Sequence, residues 1–278
     1  ALQKLPVVSK LVLHQGQHIY INNFQSLDFT DMMNLWLSHK LYGLENGAEN
    51  LLPNVLVQDN VKESTWHAKD SWIDEDADEV VLKATPCGKL KPLSAEKCSA
   101  DGHDGNCHEK ELQFKDSLDQ KDFEAYVSDI AKWEHDLASE KTPLDSNRIV
   151  WKSTAFDKDI VLEGAPKVSL RVKSSRDYGM LSFMLIDYGK DKRLGAVPTT
   201  LARKAIDCGF HWRTDDLMEF KLAKETPFTL ITKGHLNLQN RTNLWHADDL
   251  SADEYVDIDV VLQPMLHRIK AGHQLGLI

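Results

Sequence analysis

The sequence predicts a mainly β protein, a β-sandwich preceded by a short strand-loop-helix segment. Three observations carry this. From Arg148 onward apolar and polar residues alternate with a period of two, as Val168, Leu170 and Val172 do against Ser169, Arg171 and Lys173. Turn residues separate such runs at Ser174-Ser175, Asp187-Tyr188-Gly189 and Lys233-Gly234, and repeated short strands between turns read as a sandwich or barrel. Near the start, Leu11-Val12-Leu13 is apolar and too brief for a helix, and a helical period follows only after His14-Gln15-Gly16-Gln17-His18.

Taken in order, a buried strand opening into a glycine-containing loop with histidine is where α/β-hydrolases place the last member of their triad, whose chain order is Ser, Asp or Glu, then His. A histidine this early puts nucleophile and acid upstream of residue 1. His18 is the candidate base, and the competing reading is a loop histidine satisfied by its neighbours. His14 sits at the strand end, where a side chain is more often packed than presented. No Gly-x-Ser-x-Gly occurs, so the chain supplies no nucleophile of that type. Ser26, followed by Asp28 and Asp31, caps a helix whose Met32, Leu35, Trp36 and Leu41 form a buried face and which Gly43 ends. Gly47 to Pro53 is a linker, and Val55 to Gln58 a new strand.

Beyond Trp66 and Trp72, the acidic run Asp74 to Asp78 reads as a solvated loop. Thr85 to Glu111 holds three cysteines among Gly, Pro, Lys and Asp and looks like an insertion. Lys121 to Leu137 is helical, with Phe123, Tyr126, Val127, Ile130 and Trp133 on one side. Strands follow through Leu181, Phe183 and Leu185, Phe228 and Leu230, and Val256, Ile258 and Val260. Ala271 to Ile278 stops inside another strand, and the first residue is not Met, so both ends read as cut.

With 278 residues, 42% of them hydrophobic and 27% charged, the chain has the make-up of a soluble globular protein of one large or two modest domains. The formal charge of −10 argues against a nucleic-acid partner. No apolar run is long enough for a bilayer, and Ala1-Leu2-Gln3-Lys4 lacks the marks of a signal peptide. Four cysteines in this length favour a reducing, cytoplasmic setting. Cys87, Cys98, His103, Cys107 and His108 raise the question of zinc, but no Cys-x₂-Cys pair nucleates a site. Free thiols come first there, ahead of a metal or a single disulfide. Trp66, Trp72, Trp151, Trp212 and Trp245 raise sugar binding, and Asp215-Asp216 and Asp248-Asp249 raise calcium. Core aromatics and solvated turns are the favoured readings. His211, His235, His246, His267 and His273 are scattered singly and take no catalytic role. No cofactor is expected.

The segment from Lys10 to Tyr20, with Phe24-Gln25-Ser26-Leu27-Asp28-Phe29 heading a helix, resembles the region closing the catalytic domain of Xaa-Pro dipeptidyl-peptidases. Leu56 to Asn60, Leu185 to Gly189, Thr232-Lys233-Gly234, Asn237 to Asn240 and Leu250 to Tyr255 resemble the C-terminal jelly-roll of that family. Gly272-His273-x-Leu275 is similar to a wider peptidase and esterase signature. The resemblance implies a jelly-roll, galactose-binding-like sandwich over 51–278, interrupted at about 85–145, after an α/β-hydrolase remnant over 1–50. It also implies that His18 is the base of a serine exopeptidase releasing N-terminal Xaa-Pro dipeptides from proline-containing peptides, and that the chain alone is inactive. Stripped of its sheet, the Leu11–Leu13 strand and the apolar face of the helix after it would self-associate, making a homodimer. The alternatives are a non-catalytic carbohydrate- or protein-binding sandwich and an ester or amide hydrolase of the same group.

Overall fold

The computed structural model describes residues 7–15, 26–72, 77–93, 111–198 and 218–278. It divides into two compact units: Ala1–Ala77 with Asp191–Thr226 and Leu266–Arg268, and Asp78–Lys190 with Pro227–Met265 and Ile269–Ile278. The described residues are mainly β, in several sheets with few helices.

In the first unit, β1 (Leu11–Leu13), β2 (Val55–Gln58) and β3 (Trp66–Lys69) form one sheet. β1 and β2 are parallel, with Leu11 opposite Val55 and Leu13 opposite Val57, and β3 returns antiparallel to β2. Parallel neighbours need a crossover, and α1 (Phe29–Tyr42) and α2 (Ala48–Leu51) lie between them in the chain. All four residues of β2 are buried, which is why its apolar run is continuous rather than alternating. Lys10 Nζ donates to the carbonyls of Glu49 (2.6 Å) and Leu52 (2.8 Å) around the end of α2, where carbonyls lack helical partners.

The cap of α1 is Asp28, not the expected Ser26. The Asp28 carboxylate accepts the Asp31 N–H at 3.1 Å. Ser26 Oγ instead donates to the Glu63 carbonyl (3.1 Å) and accepts from Trp66 Nε1 (3.0 Å). Gly43 closes the helix at φ 66°, the left-handed conformation that glycine adopts without Cβ strain. The expected buried face is only partly formed. Met32, Leu35 and Trp36 are half-buried, Leu41 is 69% exposed, and no α1 residue is fully buried. Met33, Leu37 and Leu41 make a second apolar stripe at four-residue steps, so the period does not single out one face.

In the second unit, β4 (Leu82–Ala84) and β5 (Leu90–Pro92) form a hairpin. Where one helix was expected there are two, α3 (Gln120–Ser128) and α4 (Ile130–Ala138). Asp129 leaves the helical conformation at φ −143°, and its carboxylate caps α4 through the Lys132 N–H at 3.0 Å. The break resets the helical phase, so Tyr126, Leu137 and Ala138 are buried while Phe123, Val127 and Ile130 are more than half exposed.

The strands that follow are β6 (Trp151–Lys152), β7 (Ile160–Gly164), β8 (Lys167–Lys173), β9 (Met180–Pro198), β10 (Met218–Asn237), β11 (Tyr255–Val261), β12 (Met265–Ile269) and β13 (Gln274–Leu277). One sheet has the order β10-β9-β13-β6. β8 and β11 pair antiparallel with Val168 opposite Val260, Leu170 opposite Ile258 and Val172 opposite Val256. The three apolar residues on the inward row of β8 therefore each meet an apolar residue of β11, as the alternation predicts.

From Phe183 to Tyr188, strand β9 is buried on both sides. Phe183 and Leu185 enter a core with Val168, Ile258, Val260 and Ile269, whereas Met184, Ile186 and Tyr188 enter another with Tyr126, Leu137 and Leu144. Asp187-Tyr188-Gly189 and Lys233-Gly234 are consequently not turns but lie inside β9 and β10. The glycines mark close approach instead. A Cβ on Gly189 would lie 2.1 Å from the His273 ring, and one on Gly234 would lie 2.7 Å from Leu262 Cδ2.

Candidate functional site

The carboxyl ends of parallel strands are where open α/β sheets gather functional groups, and β1 and β2 end together. One residue past the last β1–β2 pair, His14 is half-buried, and burial lowers its imidazole below the usual range. Next to it, Gln15 and Gln58 bond reciprocally. The Gln15 backbone N–H donates to Gln58 Oε1 at 3.1 Å, and Gln15 Nε2 donates to the Gln58 carbonyl at 3.0 Å. Gln58 is fully buried, and its Nε2 donates to the Glu63 carbonyl at 2.8 Å.

Asp59 follows, buried, with both carboxylate oxygens engaged. Oδ1 accepts the N–H groups of Val61 (2.6 Å) and Lys62 (3.2 Å). Oδ2 meets His67 Nε2 at 2.9 Å and the Arg268 guanidinium at 3.4 Å. Burial opposes the charge, but the His67 hydrogen bond, the two amides and Arg268 outweigh it and hold the carboxyl below the usual range. The Asn60 side chain copies a strand ladder, donating to the Arg268 carbonyl (3.0 Å) and accepting its N–H (2.7 Å). The arrangement is a rigid polar shelf holding a fixed negative charge at the mouth of two parallel strands. Its signal in the sequence is Gln58-Asp59-Asn60 set directly after an all-apolar buried strand; nothing local to His67 or Arg268 announces their part.

His18, the predicted base, lies outside the described residues, as do Cys98, His103, Cys107, His108, Cys208, His211, Trp212, Asp215 and Asp216. Cys87 is disulfide-bonded, which corrects the free-thiol expectation at that position; the other three cysteines all lie outside the described residues. Among the described residues, no group of three or more His, Cys, Asp or Glu side chains is placed to hold a metal ion.

The remaining candidates separate. Trp151 is buried and donates Nε1–H to the Thr85 carbonyl at 3.0 Å, and Trp72 is half-buried. Trp245 is 88% exposed. Asp248 accepts the Thr242 N–H at 2.9 Å and the Thr242 hydroxyl, so it closes a turn, and the Asp249 carbonyl accepts from Arg241 at 2.7 Å. His235 meets Ser182 Oγ at 2.8 Å on the strand surface, His246 is exposed, and His267 is buried.

His273 is brought to Asp187, Nδ1 to Oδ1 at 2.8 Å, with both residues buried. The β13–β9 register, Leu275 opposite Asp187, sets that contact. Gly272 turns the chain into it at φ 84°. Two motifs noted separately in the sequence, Leu185 to Gly189 and Gly272-His273-x-Leu275, are thus one buried clamp.

The sequence model for the X-Pro dipeptidyl-peptidase C-terminal non-catalytic domain matches residues 46–278. The chain belongs to this family. It is 50% identical over 279 residues to the Xaa-Pro dipeptidyl-peptidase of Lactiplantibacillus plantarum, covering 100% of the chain and 33% of that protein. To the Xaa-Pro dipeptidyl-peptidase of Ligilactobacillus salivarius it is 47% identical over 278 residues, with the same shares of 100% and 33%. The chain therefore spans about a third of the length of the curated relatives it matches.

Among solved structures, an α-amino acid ester hydrolase aligns with 15% identity and a TM-score of 0.54, over 96% of this chain and 42% of the other. An aminopeptidase from a marine sediment archaeon aligns with 16% identity and a TM-score of 0.51, over 89% and 36%. At these identities the likeness is one of fold. Residues 1–45, with His14, Gln15 and His18, precede the matched non-catalytic range. No helix among the described residues is long and apolar enough to cross a membrane.

Proposed function

We propose that this chain is the C-terminal portion of a serine exopeptidase that releases N-terminal Xaa-Pro dipeptides from proline-containing peptides, and that it supplies the base His18. The single observation that carries the reading is the 50% identity, along the whole chain, to an Xaa-Pro dipeptidyl-peptidase. Residues 1–50 are the closing part of an α/β-hydrolase catalytic domain, and residues 51–278 are a jelly-roll sandwich with an insertion at about 85–145. The family match beginning at residue 46 supports that division, although the β1-β2-β3 sheet spans it.

In this reading the His18 imidazole takes the proton of an upstream serine as it attacks the peptide carbonyl, then returns it to the leaving amine, while an upstream Asp holds the imidazole tautomer. The whole enzyme is a homodimer of the cytoplasm. The disulfide at Cys87 pulls the other way on location, since such bonds are uncommon in reducing compartments.

A second reading, a carbohydrate- or protein-binding sandwich, draws on Trp245. Exposed Leu244 and Trp245 stand on a loop pinned by Asn240, Thr242 and Asp248. The test is release of p-nitroaniline from an Xaa-Pro-p-nitroanilide. The longer polypeptide turns over and residues 1–278 alone do not; turnover by the chain alone, or none by the longer polypeptide, overturns the assignment.

A further inference from the structure

We infer that His39 is a pH-set latch between the C-terminal end of α1 and α2: its imidazolium ties the two together, and the neutral ring gives up one of the two ties. The backbone sets up the contact. Gly43 N–H donates to the His39 carbonyl at 3.0 Å and Leu44 N–H to the Ser38 carbonyl at 3.3 Å, which ends α1. That turn brings the Leu44 carbonyl back to the His39 side chain, whose Nδ1 lies 2.8 Å from it. On the other side of the ring, Nε2 lies 3.2 Å from Glu49 Oε1, on α2. A carbonyl and an ionised carboxylate both only accept. A neutral imidazole has one N–H, so it satisfies one of these partners and turns a lone pair on the other; only the imidazolium donates to both.

The charges acting on the ring are Glu49 on α2, which favours the cation, and Lys40 on α1, which opposes it and bonds the same Glu49 oxygen. The Leu44 carbonyl first, then Glu49, outweigh burial and Lys40 and hold the half-buried imidazole above its usual range. Its place in the last turn of α1 also favours a positive charge. A folded value above the unfolded value of about 6.5 means the latch is complete below that pH and lost as pH rises through the folded value. The far side of α2 is pinned independently of pH in this range. Lys10 Nζ donates to the Glu49 and Leu52 carbonyls and, at 2.9 Å, to Asn54 Oδ1 beside β2. Asn46 Nδ2 donates to the Leu35 carbonyl at 2.8 Å and does not titrate, so loosening is confined to the last turn of α1 and the loop to α2. That turn carries exposed Leu41 and Tyr42.

The experiment is hydrogen exchange by mass spectrometry on the longer polypeptide between about pH 5.5 and 8.5, with rates corrected for their intrinsic pH dependence. Peptides over residues 38–49 are expected to exchange severalfold faster at the upper end, with a midpoint above the ordinary imidazole value, while β2 shows no such change. His39→Gln, which does not titrate, is expected to abolish the dependence. Lys40→Ala leaves His39 as the only partner of Glu49 Oε1 at the end of α1 and is expected to enlarge it. Glu49→Gln removes the carboxylate and is expected to lower the midpoint. Corrected exchange independent of pH in the parent overturns the inference, as does a dependence that survives His39→Gln. If His39→Gln does not fold, Glu49→Gln decides: a midpoint it leaves unmoved overturns the latch.

Discussion

Around the middle of β9, single atoms decide what the backbone tolerates. Gly189 faces the His273 ring, whose Nδ1 is held by Asp187 at 2.8 Å, so a methyl group at 189 has nowhere to go. Gly189→Ala should therefore destabilise the chain by about 3 kcal/mol in a denaturant titration, at the upper end of overpacking costs. Removing the ring in Gly189→Ala/His273→Ala should make the two effects non-additive, because the clash is relieved; simple additivity would contradict the packing described. Next in the chain, Tyr188 points to the other face, and its hydroxyl donates to the Ala138 carbonyl at 2.9 Å. Burial, ahead of nearby charges, pushes this phenol up to about 12. A folded value above the unfolded value of about 10 means its contribution is complete below pH 10 and lost as pH rises towards 12. Tyr188→Phe should cost about 1 kcal/mol at neutral pH through the lost hydrogen bond. It should also flatten this part of the alkaline stability loss, followed by denaturation at pH 9 to 11.5; an unchanged slope would count against the assignment.

Among the elements, α1 is the least settled by its own unit. Met33, Leu37 and Leu41 are all exposed, and three apolar side chains along one helix make a face that favours association. The isolated chain should self-associate through it, and Leu37→Lys/Leu41→Lys should give a monomer by light scattering at the same loading; a monomeric wild type would oppose the idea. Elements whose partners are short-range or regular were legible beforehand. The β8 and β11 alternation translated directly into paired rows, and Gly43 stopped α1. Elements defined by distant partners were not legible. Asp187-Tyr188-Gly189 has the composition of a turn, but Asp187 and Tyr188 pair as strand with Leu275 and Gln274 of β13, far along the chain. The α3–α4 break was hidden because Asp129 is an ordinary polar position until its carboxylate caps the second helix, which moves the buried side to Tyr126 and Leu137. Gln58 and Asp59 stood in a recognised motif, but the part played by Arg268 required the fold.

For the molecule as a whole, the non-catalytic family range and the catalytic proposal occupy different stretches of one chain. The family match starts at residue 46, and the strand pair whose carboxyl ends carry Gln15, Gln58 and Asp59 straddles that boundary. Across that boundary the two parts are joined by the β1–β2 pairing and by the two hydrogen bonds between Gln15 and Gln58. The most direct measurement is the rate of Xaa-Pro-p-nitroanilide cleavage by the longer polypeptide with His18 intact and with His18→Ala. The account predicts a fall of about 10⁴- to 10⁶-fold in kcat with folding unchanged; a His18→Ala enzyme within tenfold of the parent would contradict it.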